Sequence, residues 1–314
     1  MSRDTASLTV APPGDAHGRG DASDPLHLRG VALVLLAGVF WSLGGILIRH
    51  VESASDWQIL LVRSWAVAVT LFSVLLWRHG RRVPDKFRAV GWPGLVGACC
   101  LSVAFICFVF AMQRTTIANA TFLLSASPFT AAVLAWLVLR EPVLPITWRT
   151  MAVAALGIVV MVTDRVEAGA WLGNAFAFGA MLGFSGLVVA MRAGRLGDML
   201  PAVCLAGVIT GSVSALLVED FAVSTNDALM CITMGVVQVG AGMVVFTMGS
   251  RHVPAAELAL LTLTEVVLAP LWVWVGVGEV PAVATLIGGA IVMAAIVWRA
   301  LGGMRRKTPP VGAV

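Results

Sequence analysis

One stretch of this chain occurs twice, at residues 111–162 and again at residues 249–298. In each copy a short polar turn leads into an apolar run with an internal proline, the run ends at a glutamate, and a second apolar run follows. Three residue pairs align at an offset of 138 residues: Ala118 with Ala256, Glu141 with Glu279, and Ser127 with Glu265. A repeat of this size constrains the overall architecture more strongly than any single residue does. It predicts two copies of one module, with the function between them.

Both copies are strongly apolar, which identifies the solvent in which the chain folds. Hydrophobic residues make up 59% of the chain and charged residues only 12%, with a mean hydropathy of +0.93, whereas soluble domains carry roughly 25% charged residues. A helix needs about 20 apolar residues to cross a bilayer. The composition predicts an all-α integral membrane protein with little sequence left for a soluble catalytic domain. Ten spans are predicted: Gly30–Ile48, Trp57–Trp77, Trp92–Met112, Thr116–Leu139, Trp148–Thr163, Trp171–Met191, Met199–Val218, Ala228–Met248, Ala255–Val277 and Ala282–Trp298.

The polar segments at the ends and between the spans predict the orientation. Residues 1–28 are polar without an apolar period, which predicts a disordered tail, and residues 302–314 form a short basic tail. Most of the 21 Lys and Arg residues fall in the tails and in alternate loops, while the remaining loops are acidic. The positive-inside rule therefore predicts that both termini are cytoplasmic. The expected location is the inner or plasma membrane. The pI of about 9.1 reflects this orientation, and no nucleic-acid partner is expected.

The number of spans predicts how the two modules are related. Ten spans divide into two modules of five, at residues 29–165 and 169–301, and a module with an odd number of spans makes the next one insert upside down. Inverted repeats are typical of secondary transporters, whose site lies near the midplane where the repeats meet. The fold prediction is therefore two inverted five-helix repeats around a central cavity. The first spans of the modules align at an offset of 143 residues: Gly30 with Gly173, Trp41 with Phe184, Ser42 with Ser185, and Arg49 with Arg192.

Several ordered motifs carry a resemblance to a known family. They are the Trp41–Ser42 step, Arg63, ATFLLSASPFTAAVLAWLVLREP at 120–142, LTEVVLAPLWVWVGVGE at 263–279, and Gly288–Gly289. With these motifs the chain resembles the drug/metabolite transporter superfamily, in its ten-span form with two EamA-like domains. The resemblance implies an inverted pair of domains around a central cavity and the transport of amino acids, sugars, nucleotide-like metabolites or drugs. One departure is that Arg140–Glu141 ends the first motif and Gly278–Glu279 ends the second, so the domains are not interchangeable.

Charges within spans are costly and are candidates for function. Glu265 lies ten residues into its predicted span, about 15 Å deep and close to the midplane. A carboxyl group there can hold a proton, bind a substrate ammonium group, or form a static bridge with Arg63 that only orders packing. Arg63 lies about 10 Å from the outer surface, so structural support and substrate contact both remain open for it. Glu257 is near the start of its span, where a snorkelling or cap-like role is favoured over a role in transport.

Two prolines and several polar or aromatic side chains complete the candidate site. Pro128 and Pro270 each remove a backbone donor, which predicts a helix break or hinge. The hydroxyl groups of Ser127 and Thr264 can hydrogen-bond to the backbone of their own helix or line a cavity. The side-chain amides of Asn119 and Gln238 can form hydrogen bonds that only hold helices together. Trp41 and Phe184 occupy equivalent places and are candidates to flank a substrate, with lipid-facing or packing roles as the alternative. The predicted pathway residues are Glu265, Trp41, Ser127, Thr264, Phe184, Asn119, Gln238 and Arg63.

The remaining reactive residues predict neither an enzyme nor a metal protein. The five cysteines lie in apolar spans without paired spacing, and the five histidines lie in loops, tails or boundaries, so no metal, disulfide or cofactor is expected. No phosphate-binding glycine loop is present, so the energy must come from a gradient of the solute, of protons or of another ion. The GxxxG pairs Gly179–Gly183 and Gly207–Gly211 favour close helix packing and leave a homo-oligomer open.

Transport is the prediction that these observations favour. The predicted function is a secondary transporter that moves a small metabolite or amino acid by alternating access, with export favoured. An importer or facilitator of the same family is the nearer alternative. A membrane scaffold or sensor, whose repeats only build a bundle, is the more distant one.

Overall fold

The computed structural model describes residues 25–140, 145–163, 170–194, 198–253, 258 and 261–304. Within them the regular structure is entirely helical. Glu141 and Glu257 lie outside the described residues, as do most of the two polar tails. Residues 25–28 and 302–304, assigned to the tails from the sequence, belong to the first and last helices.

Twelve α-helices can be followed along the described chain. A π-helical segment, Met234–Ala241, lies between the ninth and tenth helices, and a short 3₁₀ turn, Gly80–Arg82, joins the second to the third. The helices are α1 (Pro25–Arg49), α2 (Asp56–His79), α3 (Val83–Arg114), α4 (Ile117–Ser125), α5 (Ser127–Leu139), α6 (Pro145–Thr163), α7 (Ala170–Ala193), α8 (Leu200–Leu217), α9 (Thr225–Thr233), α10 (Gly242–Gly249), α11 (Leu263–Val277) and α12 (Val283–Met304).

The lengths and surfaces of these helices confirm an all-α membrane protein. Exposed positions in the middle of helices carry large apolar side chains such as Val69, Phe72 and Phe178, a surface suited to lipid rather than water. Three shorter apolar helices lie at Trp148–Val160, Thr264–Val277 and Val283–Trp298. The total of ten spans stays a prediction. Six segments are long and apolar enough to cross a membrane: Pro25–Arg49, Asp56–Arg114, Ile117–Leu139, Trp171–Ala193, Leu200–Leu217 and Thr225–Gly249.

Local sequence signals explain where several helices begin or bend. The Ser55 hydroxyl accepts from the Gln58 amide and the Gln58 side chain accepts from the Ser55 amide, which is a capping box at the start of α2. Helix α3 bends at Gly91, whose φ of +56° suits glycine. The bend separates a short basic segment from the apolar span that begins at Trp92.

The helix breaks lie at different distances from the two prolines. Ala126 separates α4 from α5, and Pro128 occupies the first turn of α5, where its missing N–H costs little. Pro270, in contrast, lies inside the continuous helix α11, which begins at Leu263 after Thr262. The second break therefore does not lie at the proline, because intact helical turns of α11 precede Pro270.

Helices from the two halves of the sequence pack against each other throughout the bundle. Helix α3 packs on α7, α2 on α8, α1 on α11, and α6 on α12. Glycines allow the close approach: a Cβ at Gly183 of α7 would lie 2.6 Å from the carbonyl oxygen of Cys100 in α3. A Cβ at Gly207 of α8 would lie 2.9 Å from the carbonyl oxygen of Ser64 in α2. Both glycines belong to predicted GxxxG pairs, which thus serve packing within the chain.

Candidate functional site

A hydrogen bond in the second half of α1 joins it to α11. The indole Nε1 of Trp272 donates to the hydroxyl oxygen of Ser42 at 2.9 Å, and that hydroxyl donates to the carbonyl oxygen of Val39 at 2.7 Å. Ser42 is fully buried. Ser42 therefore fixes α11 against the second half of α1.

Trp41, the other residue of this step, contacts the π-helical segment and α10. Its ring lies 5.1 Å from the ring of Phe246, centroid to centroid. The Gln238 side-chain amide donates to the carbonyl oxygen of Trp41 at 3.4 Å, and its Oε1 atom is buried without a partner. Gly44 makes room for this amide, because a Cβ there would lie 2.8 Å from Gln238 Nε2. Such π-helical segments often mark functional sites, and helical periodicity in the sequence gave no sign of this one.

Arg63 lies in the interior of the bundle, and none of the described acidic side chains forms an ion pair with it. Its residue exposure is 3%, and its Nε and Nη1 atoms are buried without a hydrogen-bond partner. Its Cζ atom lies over the rings of Phe105 and Phe108, 5.0 Å and 5.4 Å from their centroids. The cation is thus held by aromatic faces of α3 and keeps free N–H groups.

Glu265 lies in the first turn of α11, directly after the break at Thr262. Its neighbour Thr264 packs on α1, where a Cβ at Gly38 would lie 3.1 Å from the Thr264 Cβ. The Glu265 side chain is partly buried, and no hydrogen bond or ion pair joins it to another described residue. In particular, the static bridge with Arg63 that the sequence left open is not formed between these two described residues.

The hydroxyl groups around the first break bond to the backbone. The Ser127 hydroxyl donates to the carbonyl oxygen of Leu124. From α7, the buried Ser185 hydroxyl lies 3.0 Å from the Ser127 carbonyl oxygen and 2.7 Å from the Thr130 hydroxyl. These hydroxyls satisfy carbonyl groups that the break frees, so in this conformation Ser127 is engaged in helix packing.

The two remaining candidates are Phe184 and Asn119. Phe184 on α7 is 37% exposed, and among the described aromatic rings it forms no stacked pair with Trp41. Asn119 lies two residues into α4, and its side-chain amide donates to Asn174 Oδ1 at 2.9 Å. The Oδ1 atom of Asn119 is buried without a partner.

A network of charged groups lies at the end of the bundle where α1 and α3 finish and α2 and α4 begin, here called the Arg49 end. Arg49 Nε donates to Glu279 Oε2 at 2.8 Å, and the amide of Ile117 donates to Glu279 Oε1 at 2.9 Å. The other guanidinium nitrogens of Arg49 donate to the carbonyl oxygens of Met112 and Thr115 at 2.7 Å and 3.0 Å. One ion pair therefore joins the ends of α1, α3 and α11 to the start of α4.

A buried carboxylate makes a second connection at the Arg49 end. Asp227, at the start of α9, accepts from the backbone amides of Glu52, Ser53 and Ala54 and from the Ser53 hydroxyl, at 2.7–3.0 Å. The Gln58 side-chain amide also donates to the carbonyl oxygens of Asp220 and Ala222. The α1–α2 loop is thus held to the second half of the sequence. Sequence reasoning treated these groups only as loop charges, although the alignments of Arg49 with Arg192 and Glu141 with Glu279 were a signal.

The described residues offer no evident metal site. No group of three or more His, Cys, Asp or Glu side chains within them is placed to hold a metal ion. The five cysteines are free thiols.

Comparison with known proteins agrees with a bundle of membrane helices. Residues 28–163 match the EamA-like transporter family. An uncharacterized transporter of Pseudomonas aeruginosa is 26% identical over 250 residues, which cover 74% of this chain and 80% of that protein. A crystal structure of another protein superposes with a TM-score of 0.61 at 17% identity, covering 89% of this chain and 99% of the other, and shows a shared fold alone. The family match and the relative support a multi-pass membrane transporter.

Proposed function

We propose that this protein is a secondary transporter built from ten spans in two inverted five-helix repeats, residues 29–165 and 169–301. It exports a small metabolite or amino acid across the inner or plasma membrane by alternating access, with both termini in the cytoplasm. The EamA-like match over residues 28–163 supports transport by the first repeat. Import by the same pathway is the alternative that a flux measurement decides.

The observation that carries this proposal is the pattern of helix packing. In the two proposed repeats, α2 is equivalent to α8 and α6 is equivalent to α12. Helix α2 packs on α8 and α6 packs on α12, so each of these helices contacts its own equivalent. Exchanging equivalent helices between the two repeats maps the α3–α7 contact onto the contact of α1 with α9 and α10, which also occurs. Contacts of this kind are expected around a two-fold axis in the membrane plane, so the packing supports inverted repeats.

The caps of the two broken spans also support the equivalence of the repeats. Arg140 caps the end of helix α5 and Gly278 caps the end of helix α11, and both residues are in the left-handed conformation, with φ of 54° and 76°. The two positions coincide at the repeat offset of 138 residues. A left-handed conformation is costly for a residue such as arginine. A helix end of the same geometry in both repeats explains why Arg140 adopts this conformation nevertheless.

Alternating access needs an end of the bundle that can close and open. The polar links at the Arg49 end join the two repeats: Arg49 to Glu279, the 52–54 loop to Asp227, and Gln58 to Asp220. In our proposal this end faces outward and is closed in the conformation described. Export then requires these links to break, so that rocking of one repeat against the other exposes the site on that side.

The pathway in this proposal lies between α1, α2, α4, α5, α7, α11 and the π-helical segment Met234–Ala241. Glu265 holds and releases the coupling proton, because it is a carboxyl group deep in the bilayer without a partner in the described structure. Thr264 and Ser127 lie beside the two helix breaks, where polar groups can face a cavity. The proposed lining is completed by Trp41, Gln238, Phe184, Asn119 and Arg63.

Reconstituted flux tests the proposal directly. The purified protein is placed in liposomes, and flux of amino acids, nucleosides and cationic drugs is measured with and without a pH gradient. Flux of one class above protein-free liposomes is expected, and its preferred direction separates export from import. Absence of flux for every solute in both directions would favour a membrane scaffold or sensor instead.

A further inference from the structure

Arg63 is a cation that the fold buries without satisfying its hydrogen-bond donors. It lies seven residues after Asp56, the first residue of α2, about 10 Å below the Arg49 end. Its residue exposure is 3%, and both Nε and Nη1 lack partners. A buried, unpaired N–H group on a charged side chain is costly. Such a group in a native protein calls for an explanation, and a bound ligand is one.

The aromatic neighbours of Arg63 stabilise its charge without using its donors. Phe105 and Phe108 face the guanidinium Cζ at 5.0 Å and 5.4 Å from their centroids, which is within the range of cation–π attraction. A ring face is a much weaker hydrogen-bond acceptor than an oxygen atom. The N–H groups therefore stay available for a planar oxyanion, which a guanidinium binds through two parallel hydrogen bonds.

No acidic side chain of the described structure pairs with Arg63. Asp56, on the same helix, pairs with Arg114 at 2.6 Å. Asp227, on the neighbouring helix α9, is occupied by the amides and hydroxyl of the 52–54 loop. Glu265 lies fourteen residues before Glu279, about 20 Å below the Arg49 end, and it makes no ion pair with Arg63.

We propose that Arg63 binds the carboxylate group of the transported solute, an inference that rests on the proposed transport function. Arg63 is the one Arg or Lys of the described spans that lies far from a helix end. A single cation balances a monocarboxylate, whereas a phosphate dianion would leave a negative charge unbalanced in a low-dielectric site. Phe105 and Phe108 supply apolar surface for the rest of the molecule. The substrate class is therefore a small monocarboxylate with an apolar body, amino acids included.

Binding to the purified full-length protein in detergent tests this assignment. The probes are benzoate, phenylacetate, L-leucine and L-phenylalanine, each compared with its carboxamide, together with inorganic phosphate. A ligand that binds the folded state raises the melting temperature with increasing concentration. We expect this rise with at least one carboxylate, a much smaller rise with its carboxamide, and none with phosphate. No rise with any carboxylate of the panel, or an equal rise with the carboxamides, overturns the assignment.

Variants of Arg63 identify the binding residue. Arg63→Met removes an unpaired buried charge, so its melting temperature without ligand should equal or exceed that of the wild type. Its affinity for the carboxylate should fall about tenfold or more. Arg63→Lys keeps the charge but loses the planar guanidinium group that can donate two parallel hydrogen bonds to a carboxylate. It is expected to bind with intermediate affinity. Arg88→Met is the control, since Arg88 is exposed and pairs only with Asp85. Unchanged affinity in both Arg63 variants overturns the assignment.

Flux of the same panel through liposomes separates this inference from the proposed function. Carboxylate binding without flux of any solute would support the Arg63 site and contradict transport. Flux that is equal for a carboxylate and its carboxamide, and equal in the wild type and Arg63→Met, would support transport and overturn the role of Arg63.

Discussion

Arg49 and Glu279 are 230 positions apart in the sequence, yet Arg49 Nε donates to Glu279 Oε2 at 2.8 Å. Both side chains are only about one-fifth exposed, at 21% and 22%, so water screens their attraction incompletely. The second oxygen of Glu279 accepts from the amide of Ile117, one of the donors that a helix start leaves free. One carboxylate thus connects the first repeat to the second at two points.

Replacing Glu279 by glutamine should open the Arg49 end. The substitution keeps the size of the side chain but removes the charge that holds Arg49, a loss of about 1.5–3 kcal/mol for a charge-assisted hydrogen bond. The readout is Cys231, which is buried near this end on α9, with the other four cysteines replaced by alanine. We expect faster labelling by a membrane-impermeant maleimide than in the parent. Glu219→Gln, in an exposed loop, is the control, and equal labelling in all three proteins would contradict the proposed closure.

Asp227→Asn should loosen the α1–α2 loop. The asparagine side chain has one oxygen that accepts hydrogen bonds, whereas the aspartate carboxylate has two. At least one of the backbone N–H groups of Glu52, Ser53 and Ala54 would therefore face the NH₂ group of the asparagine. The expected result is a lower melting temperature and faster proteolysis of the loop. Asp85→Asn provides the comparison, because Asp85 is exposed and contacts only Arg88. If the two variants melt at the same temperature, the Asp227 network does not stabilise this end.

The parts of the structure that were predictable from sequence are those with a local signal. Long apolar runs predicted an all-α membrane protein, and the charge of Glu265 within such a run drew attention to that residue. The Arg49–Glu279 pair has no local signal, because its partners are far apart in sequence and each reads as a loop charge. The break before α11 also has no local signal. The sequence points to Pro270 as the helix breaker, whereas the helix begins after Thr262 and continues through Pro270. The π-helical turn at Gln238 also leaves no pattern that helical periodicity detects.

Two glycines on α7 make a matched test of how α7 packs on α3. A Cβ at Gly183 would lie 2.6 Å from the Cys100 carbonyl oxygen and 2.8 Å from the Ala104 amide nitrogen, which are backbone atoms that cannot move alone. A Cβ at Gly186 would instead meet the Cys100 Sγ at 2.8 Å, and that side chain can rotate away. Gly183→Ala should therefore destabilise the protein by about 1–3 kcal/mol, and Gly186→Ala by clearly less. Denaturation midpoints in detergent check the order, and the reverse order would contradict the packing described.

Glu265→Gln should separate proton coupling from solute movement. Glutamine resembles the protonated carboxyl group in shape and charge but cannot release a proton, and Glu265 has no ion pair with the described residues that the change would break. If Glu265 carries the coupling proton, the variant should lose solute accumulation driven by a pH gradient, and its flux should no longer vary with pH. Exchange of labelled for unlabelled solute should persist, because exchange requires no net proton transfer. Glu219→Gln should behave as wild type in both assays. Gradient-driven accumulation that survives in Glu265→Gln, with its pH dependence intact, would assign the coupling to another group.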